Sequence, residues 1–285
     1  MSARLGGGLG NQLFLYSAAA YKAKSQNYEL TLDISQLTKK SVSHGSSITS
    51  FDLPGNFSTR QSGTFSQFFR KLGRKFPTLQ KTLRVHICKD VFDCAELKRD
   101  YILRYVEGIY FENFYWDFLH NNLGFDLSLK TPSSWTIEKL LQLNEYDPIL
   151  VHIRRGDYLD SAQTYGLLSV DYYRLAIDKI IQENGRRKIW VFSDDITLIK
   201  EEWKHFGNVE IEYIEEPAGT DPAEILYLLS RANFLVVGNS TFSWWAAKVN
   251  LERKQTIYPF PFYRSEPDLK SIYPPSAILM ESIWK

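Results

Sequence analysis

Arg154, Arg155 and Asp157 stand together at the end of an apolar run, Ile149-Leu150-Val151-His152-Ile153. A guanidinium keeps its charge and offers paired donors in a fixed fork, which suits a phosphate or diphosphate. The plainer alternative is that Arg155 and Asp157 only pair with each other. Two further clusters carry similar chemistry. One is Ser193-Asp194-Asp195, and the other is Asn239-Ser240-Thr241-Phe242-Ser243. Hydroxyls and amides that open a helix can bind phosphate oxygens. The Asp194-Asp195 pair raises the question of a metal. Adjacent carboxylates at a strand end point in different directions, and the arginines already supply positive charge, so no metal site is expected. There is no Gly-Lys-Ser/Thr phosphate loop and no nucleophilic serine elbow.

These clusters need elements to position them. Residues 149–153 read as a strand buried on both faces. The pattern then predicts a helix from Asp171 to Gln182 and a strand from Lys188 to Phe192. A helix from Thr197 to Phe206 and a strand from Val209 to Ile214 follow. Next come a helix over Pro222 to Arg231 capped by Asp221, a strand over Phe234 to Val237, a helix to about Val249, and a closing strand at Gln255 to Tyr258. Alternating strands and helices give an α/β, doubly wound parallel sheet. In such a sheet the three polar clusters line one edge, where ligands bind.

The first half opens with Ala3-Arg4-Leu5, a glycine loop Gly6-Gly7-Gly8-Leu9-Gly10-Asn11, a helix to about Lys24, and a strand ending at Asp33. This is a βαβ start. It also fits a nucleotide-dependent oxidoreductase, with Asp33 at a ribose-binding distance, although Asn11 stands where a third glycine belongs. Residues 34–60 read as loop. Between Leu53 and Lys89 lie eight Lys or Arg and no Asp or Glu. Phe65, Phe68, Phe69 and Phe76 interleave with Arg70, Lys71, Arg74 and Lys75 at helical spacing. The expected arrangement is a helix with its rings in the core and a solvated basic face. Contact of residues 65–76 with an anionic membrane surface is the alternative. Tyr101 to Leu123 is rich in aromatics, which pack a core or line a sugar cleft. A non-catalytic sugar-binding protein would use that stretch.

The totals set limits. A chain of 285 residues suggests two domains of about 140 residues each. The net charge of +1 gives no reason to expect nucleic acid. The two cysteines, Cys88 and Cys94, form no zinc or disulfide framework and point to a reduced, intracellular protein. No window has the length of a membrane span. Leu13 to Ala20 resembles a signal-peptide core, but Gln12 and Tyr16 interrupt it.

Several blocks together resemble the α-1,2-fucosyltransferases of glycosyltransferase family eleven. They are Gly7-Gly8-Leu9-Gly10-Asn11-Gln12-Leu13-Phe14, His152-Ile153-Arg154-Arg155-Gly156-Asp157-Tyr158, and Asn239-Ser240-Thr241-Phe242-Ser243-Trp244-Trp245-Ala246-Ala247. Phe192-Ser193-Asp194-Asp195 and Leu226-Tyr227-Leu228-Leu229-Ser230 add weaker matches. The His-x-Arg-Arg block alone is shared with α-1,6- and protein O-fucosyltransferases. The resemblance implies a GT-B-like fold of two Rossmann-like domains facing across a cleft. Residues 1–140 would form the acceptor-side domain and residues 141–285 would bind GDP-fucose. It implies inverting, metal-independent transfer of L-fucose to the 2-hydroxyl of a β-galactoside, with no cofactor. Another GDP-fucose-dependent linkage is the alternative. Arg154 would hold the β-phosphate, with Arg155 and Asp157 orienting it or touching the donor. Asp157 is the nearest candidate for a base, although an arginine partner counts against it. His152, Ser193, Asp194, Asn239, Ser240, Thr241, Ser243 and, from the first domain, Asn11 complete the implied donor site. The acceptor would be a galactose-terminated glycan or lipid-linked oligosaccharide, and the location cytoplasmic, at or near the inner membrane face. Ile225 and Ala232-Asn233 depart from the family pattern beside the donor site.

Overall fold

The computed structural model describes residues 1–37, 45–59, 64–87, 105–107, 112–207, 209–250, 252–265 and 272–285. Cys88, Cys94, Tyr110 and Phe111 lie outside that set, as do the side chains of Phe65, Phe69 and Arg70. The chain divides into two compact units, Met1–Lys130 and Thr131–Lys285. The expected boundary at 140 falls inside a helix and is replaced by this one.

The first unit holds β1 (Ser2–Arg4), α1 (Leu9–Ser25), β2 (Thr31–Asp33), β3 (Asn56–Ser58), α2 (Thr64–Lys75), α3 (Gln80–Leu83), β4 (Val85–Ile87), β5 (Tyr105–Glu107) and α4 (Asn113–Leu123). Its strands form a parallel sheet in the order β3-β2-β1-β5-β4. The βαβ opening is therefore present. The helix α1 is apolar almost all round, and Leu13 to Ala20 are all buried, as a central core helix requires. That accounts for the apolar run Leu13 to Ala20 as part of a core helix. Tyr21 on α1 meets Phe114 and Phe118 on α4 edge-on at 5.1 and 4.9 Å. Asp33 is buried and accepts from its own turn at Ser35 N, 3.0 Å. Residues 34–60, read as loop, contain β3.

The basic helix is α2, and its rings depart from expectation. Phe68 is 59% exposed and Phe76 is 44% exposed. On a helix, Phe68, Lys71 and Lys75 share one face, and here that face is the solvated one. Gly73 is the buried position of the last turns. Phe68 therefore lies among the lysines and not in the core.

The second unit holds α5 (Ser134–Tyr146), β6 (Ile149–Ile153), α6 (Val170–Asn184), β7 (Ile189–Ser193), α7 (Ile196–Glu202), β8 (Ile211–Tyr213), α8 (Pro222–Arg231), β9 (Phe234–Val236), α9 (Thr241–Lys248), β10 (Gln255–Phe260) and β11 (Ile278–Glu281). All strands are parallel, in the order β11-β10-β9-β6-β7-β8. The first three strands of the unit run one way from the centre and the next three run the other. That is the Rossmann order, and it reverses between β6 and β9. The sheet does not close at β10 as expected, because β11 pairs beyond it through Ile257–Ile278 and its neighbours. Ile149, Val151, Ile153, Ile177, Ile180, Val191, Val236 and Ile257 pack into one core beneath the sheet edge. Among the described residues, no helix is long and apolar enough to cross a membrane.

The helix α5 is tied to this unit at its first turn. Ser133 caps it, accepting from Thr136 N. The Glu224 carboxylate of α8 then accepts from Ser133 N at 3.0 Å and from the hydroxyls of Ser133 and Thr136. Burial alone would raise the Glu224 pKa. The hydrogen bonds from Ser133 and Thr136 outweigh it and hold the group below the ordinary glutamate value. A lowered folded-state pKa contributes stability above the unfolded value, lost as pH falls through the folded one. Glu224→Ala should cost about 1–3 kcal/mol at neutral pH, because it strands two hydroxyls and an N–H. In thermal melts, the gap between wild type and Glu224→Gln should close as pH drops below the ordinary glutamate range.

Candidate active site

The strand β6 is buried at all five positions and lies at the reversal point of the sheet. Side chains alternate along an extended chain. Arg154 and Arg155, adjacent in sequence, therefore leave the strand end in opposite directions. Their surroundings differ accordingly.

Arg154 keeps contact with solvent. Its Nε and Nη2 donate to Asp157 Oδ1 at 2.9 and 2.7 Å, and its Nη1 pairs with Asp194 Oδ2 at 2.9 Å. Asp194 stands just past β7. Its other oxygen, Oδ1, accepts from Arg155 N at 2.7 Å. One carboxylate thus links the ends of β6 and β7. Gly156 makes this approach possible, since a Cβ there would lie 2.4 Å from Asp194 Oδ2.

Arg155 is fully buried. Its Nε and Nη2 face Glu202 of α7, with Nη2–Oε2 at 2.9 Å. Nη2 also donates to Leu168 O at 2.9 Å, and Nη1 to Arg154 O at 3.1 Å. Its donors are thus spent inside the protein, and Glu202 is also held by Lys285 Nζ at 2.5 Å. Burial pushes the Glu202 pKa up, but the two cations pull it below the usual value. Arg155 is therefore turned inward, away from the solvent that Arg154 meets. The alternative Arg155–Asp157 pairing does not form, because alternation sends Arg155 to Glu202 and leaves Asp157 to Arg154.

The end of β9 completes the edge. A Cβ on Gly238 would fall 2.6 Å from His152 O, so only glycine lets β9 close on β6 there. Asn239 is buried, and its Nδ2 donates to Tyr165 O and Gly166 O, both at 2.9 Å. Ser243 is buried, and its hydroxyl donates back to Gly238 O and Ser240 O. These two residues staple the turn. Their types suit phosphate binding in sequence, but the fold uses their donors internally. Ser240 caps α9, accepting from Phe242 N. Thr241 is half-buried in the first helical turn, where backbone N–H groups and the helix dipole favour an anion. His152 is 6% exposed and stacks on Phe242 at 5.1 Å. Burial, with the Arg154 charge adding to it, lowers its pKa to about 3. The imidazole is neutral, and its Nδ1 has no hydrogen-bond partner.

Ser193 Oγ accepts from Asp195 N at 3.1 Å, and Asp195 caps α7 by accepting from Leu198 N. Asp194 and Asp195 thus serve separate partners. Asn11 lies in the first unit, in the first turn of α1, where its amide packs against Gly7, a glycine with φ +72°. The structure gathers Arg154, Asp157, Asp194, His152, Ser240 and Thr241 at one sheet edge. Glu202 escaped sequence reasoning, because nothing local marks a partner 47 positions away. Past β6, Gly166 (φ +80°) lies under Trp284, with Cε3 2.5 Å from where a Cβ would sit. Ser169 N donates to Ile283 O, and Lys285 N to Leu167 O. The loop after β6 is thereby held in place.

The family model Glycosyl transferase family 11 matches residues 112–278, more than half of the sequence. The chain belongs to glycosyl transferase family 11. It is 27% identical to an alpha-1,2-colitosyltransferase of Escherichia coli over 95% of each chain. It is 34% identical to the O-antigen biosynthesis glycosyltransferase WbnK of Escherichia coli over 114 residues, 38% of this chain and 37% of that one. A family 9 glycosyl transferase structure from Veillonella parvula superposes with a TM-score of 0.50 at 10% identity, covering 100% of this chain and 87% of that one. That likeness bears on the fold alone. Membership of a glycosyltransferase family sets aside the oxidoreductase and the non-catalytic sugar-binding readings.

Arg155→Ala should destabilise this family 11 protein by about 3 kcal/mol, since it leaves Glu202 buried beside a single cation. That is a fall of roughly 6–12 °C in the melting temperature. Arg154→Ala, at a half-exposed position, should stay within about 1 kcal/mol of wild type. Equal melting temperatures for the two variants would contradict this division. Gly156→Ala should displace the Asp194 carboxylate and cost about 1–3 kcal/mol in thermal melts, as overpacking at a close approach does.

Proposed function

We propose that the chain transfers L-fucose from GDP-fucose to the 2-hydroxyl of a β-galactoside, with inversion at the anomeric carbon. The observation that carries this reading is the Arg154 guanidinium at the reversal point of a Rossmann sheet, where α9 opens after the adjacent strand β9. Residues 131–285 would hold the nucleotide and the first unit would serve the acceptor. The likeness to an α-1,2-specific relative over nearly the whole chain supports the linkage. That relative also favours a second reading, in which the transferred sugar is colitose, which is fucose without its 3-hydroxyl.

In the reaction the acceptor oxygen attacks the anomeric carbon. The bond from that carbon to the β-phosphate oxygen breaks, and GDP departs with the electron pair. Negative charge grows on the β-phosphate, so a preplaced guanidinium helps most in the transition state. Asp157 and Asp194 occupy all three nitrogens of Arg154. Asp194 is anchored by Arg155 N, whereas Asp157 is 59% exposed on its side chain. A diphosphate would displace Asp157 and leave Asp194 holding the fork in place. The freed Asp157 carboxylate is the candidate to take the acceptor proton, provided it swings to the face of the anomeric carbon opposite the departing oxygen. Ser240, Thr241 and the N–H groups opening α9 would hold the remaining phosphate oxygens. His152, neutral, would accept a hydrogen bond without adding charge. Arg154 and the helix end supply the positive charge, so the reading needs no metal.

Incubation with GDP-fucose and a small β-galactoside in EDTA should give a 2-linked α-fucoside by mass spectrometry and linkage analysis. Preference for a colitose donor would select the second reading, and turnover of neither would overturn both. Arg154→Ala should lower kcat about 10²–10³-fold at saturating donor. A change confined to donor affinity would refute its transition-state role. Near-normal turnover of Asp157→Asn would remove that residue as the base.

A further inference from the structure

The segment from α2 to α3 contains none of the residues assigned above to the donor site, yet its exposed surface has a definite chemistry. Phe68 is 59% exposed, Phe76 44% and Leu79 40%. Large apolar side chains are usually covered, and three along one short stretch is unusual. Lys71 and Lys75 are exposed on the same helical face as Phe68, and Lys75 Nζ lies 5.5 Å over the Phe76 ring. Arg84 is exposed at the end of α3. No acidic residue occurs anywhere from Leu53 to Lys89, although the chain as a whole is nearly neutral at +1. The positive charge is thus local, and it is interleaved with rings.

We propose that this face docks the protein on an anionic lipid surface. The basic side chains match lipid phosphates in charge, and the exposed rings match the boundary between headgroups and acyl chains. A polyanion such as nucleic acid would use the lysines but would leave Phe68 and Leu79 exposed to water. An acidic protein partner would likewise satisfy the charge alone, unless it brought an apolar surface of its own. Lys71 and Lys75 flank Phe68 along one helix face, so ring and charges can engage a flat surface together. The docking is independent of which sugar is transferred, and it rests on no residue of the donor site.

The test is cosedimentation of the full chain with vesicles at low salt. Vesicles of phosphatidylcholine with about one-third phosphatidylglycerol should pellet the protein, and pure phosphatidylcholine vesicles should not. Binding should be lost near 0.5 M sodium chloride, where charges are screened within roughly 4 Å. Each lysine near such a surface is worth about fivefold, so Lys71→Ala with Lys75→Ala should weaken binding roughly 25-fold. Phe68→Ser should weaken it at unchanged charge. Thermal melts of the variants should match wild type, because these side chains are solvated. Failure of the wild type to bind anionic vesicles at low salt would overturn the proposal. So would loss of binding through the lysines alone with Phe68→Ser unaffected, since that is the behaviour of a simple polyanion site.

Discussion

The Asp194 carboxylate is the contact on which the site's geometry depends. It accepts the Arg155 backbone N–H with one oxygen and holds Arg154 with the other. It thereby fixes the end of β6 against the end of β7 at the point where the sheet reverses. Two adjacent arginines at one strand end would otherwise repel each other and move freely. Strand alternation separates them, and three carboxylates receive them: Asp157 and Asp194 for one, Glu202 for the other. Breaking a buried pair costs more than forming one gains, so such a network acts mainly to specify position. The two glycines, Gly156 and Gly238, are the steric condition for it. Each leaves room for an approach that a methyl group would block.

The long elements were legible in sequence. The strand β6 and helix α8 have the expected bounds, because an uninterrupted apolar run and an Asp-Pro start are strong signals. Of the three-residue strands, β1, β2, β8 and β9 were legible beside their helices, whereas β3, β4 and β5 were not, because three positions in an irregular stretch carry no period. The strand β11 was missed for a related reason, since its alternating burial follows an irregular stretch. At the site, residue type identified the right neighbourhood but not the role. Arginine, asparagine and serine suit phosphate binding and turn stapling equally. Only the fold shows that Arg155, Asn239 and Ser243 turn inward while Arg154, Ser240 and Thr241 stay at the edge. The same limit applied to α2, where period-3.6 spacing showed a helix face but not which medium it meets.

The buried Arg155–Glu202 pair and the neutral His152 mark a general feature of this edge. Ionisable groups lie beneath the surface, and only part of their charge is offered outward. Arg154 has a firm partner in Asp194 and a looser one in Asp157. In the proposed mode an anion would replace the looser partner at the Arg154 fork while Asp194 stays in place. That arrangement combines a fixed fork with an exchangeable counter-charge.

The pairing of Leu168 with Trp284, and of the loop after β6 with the residues beyond β11, bears on how the protein is made. Translation delivers the arginines long before it delivers the tryptophan that covers Gly166. The first unit has its own sheet and can fold while the ribosome is still working. The second cannot settle the loop after β6 until residues made more than a hundred codons later arrive. Nascent chains therefore carry a half-built edge until the residues beyond β11 emerge.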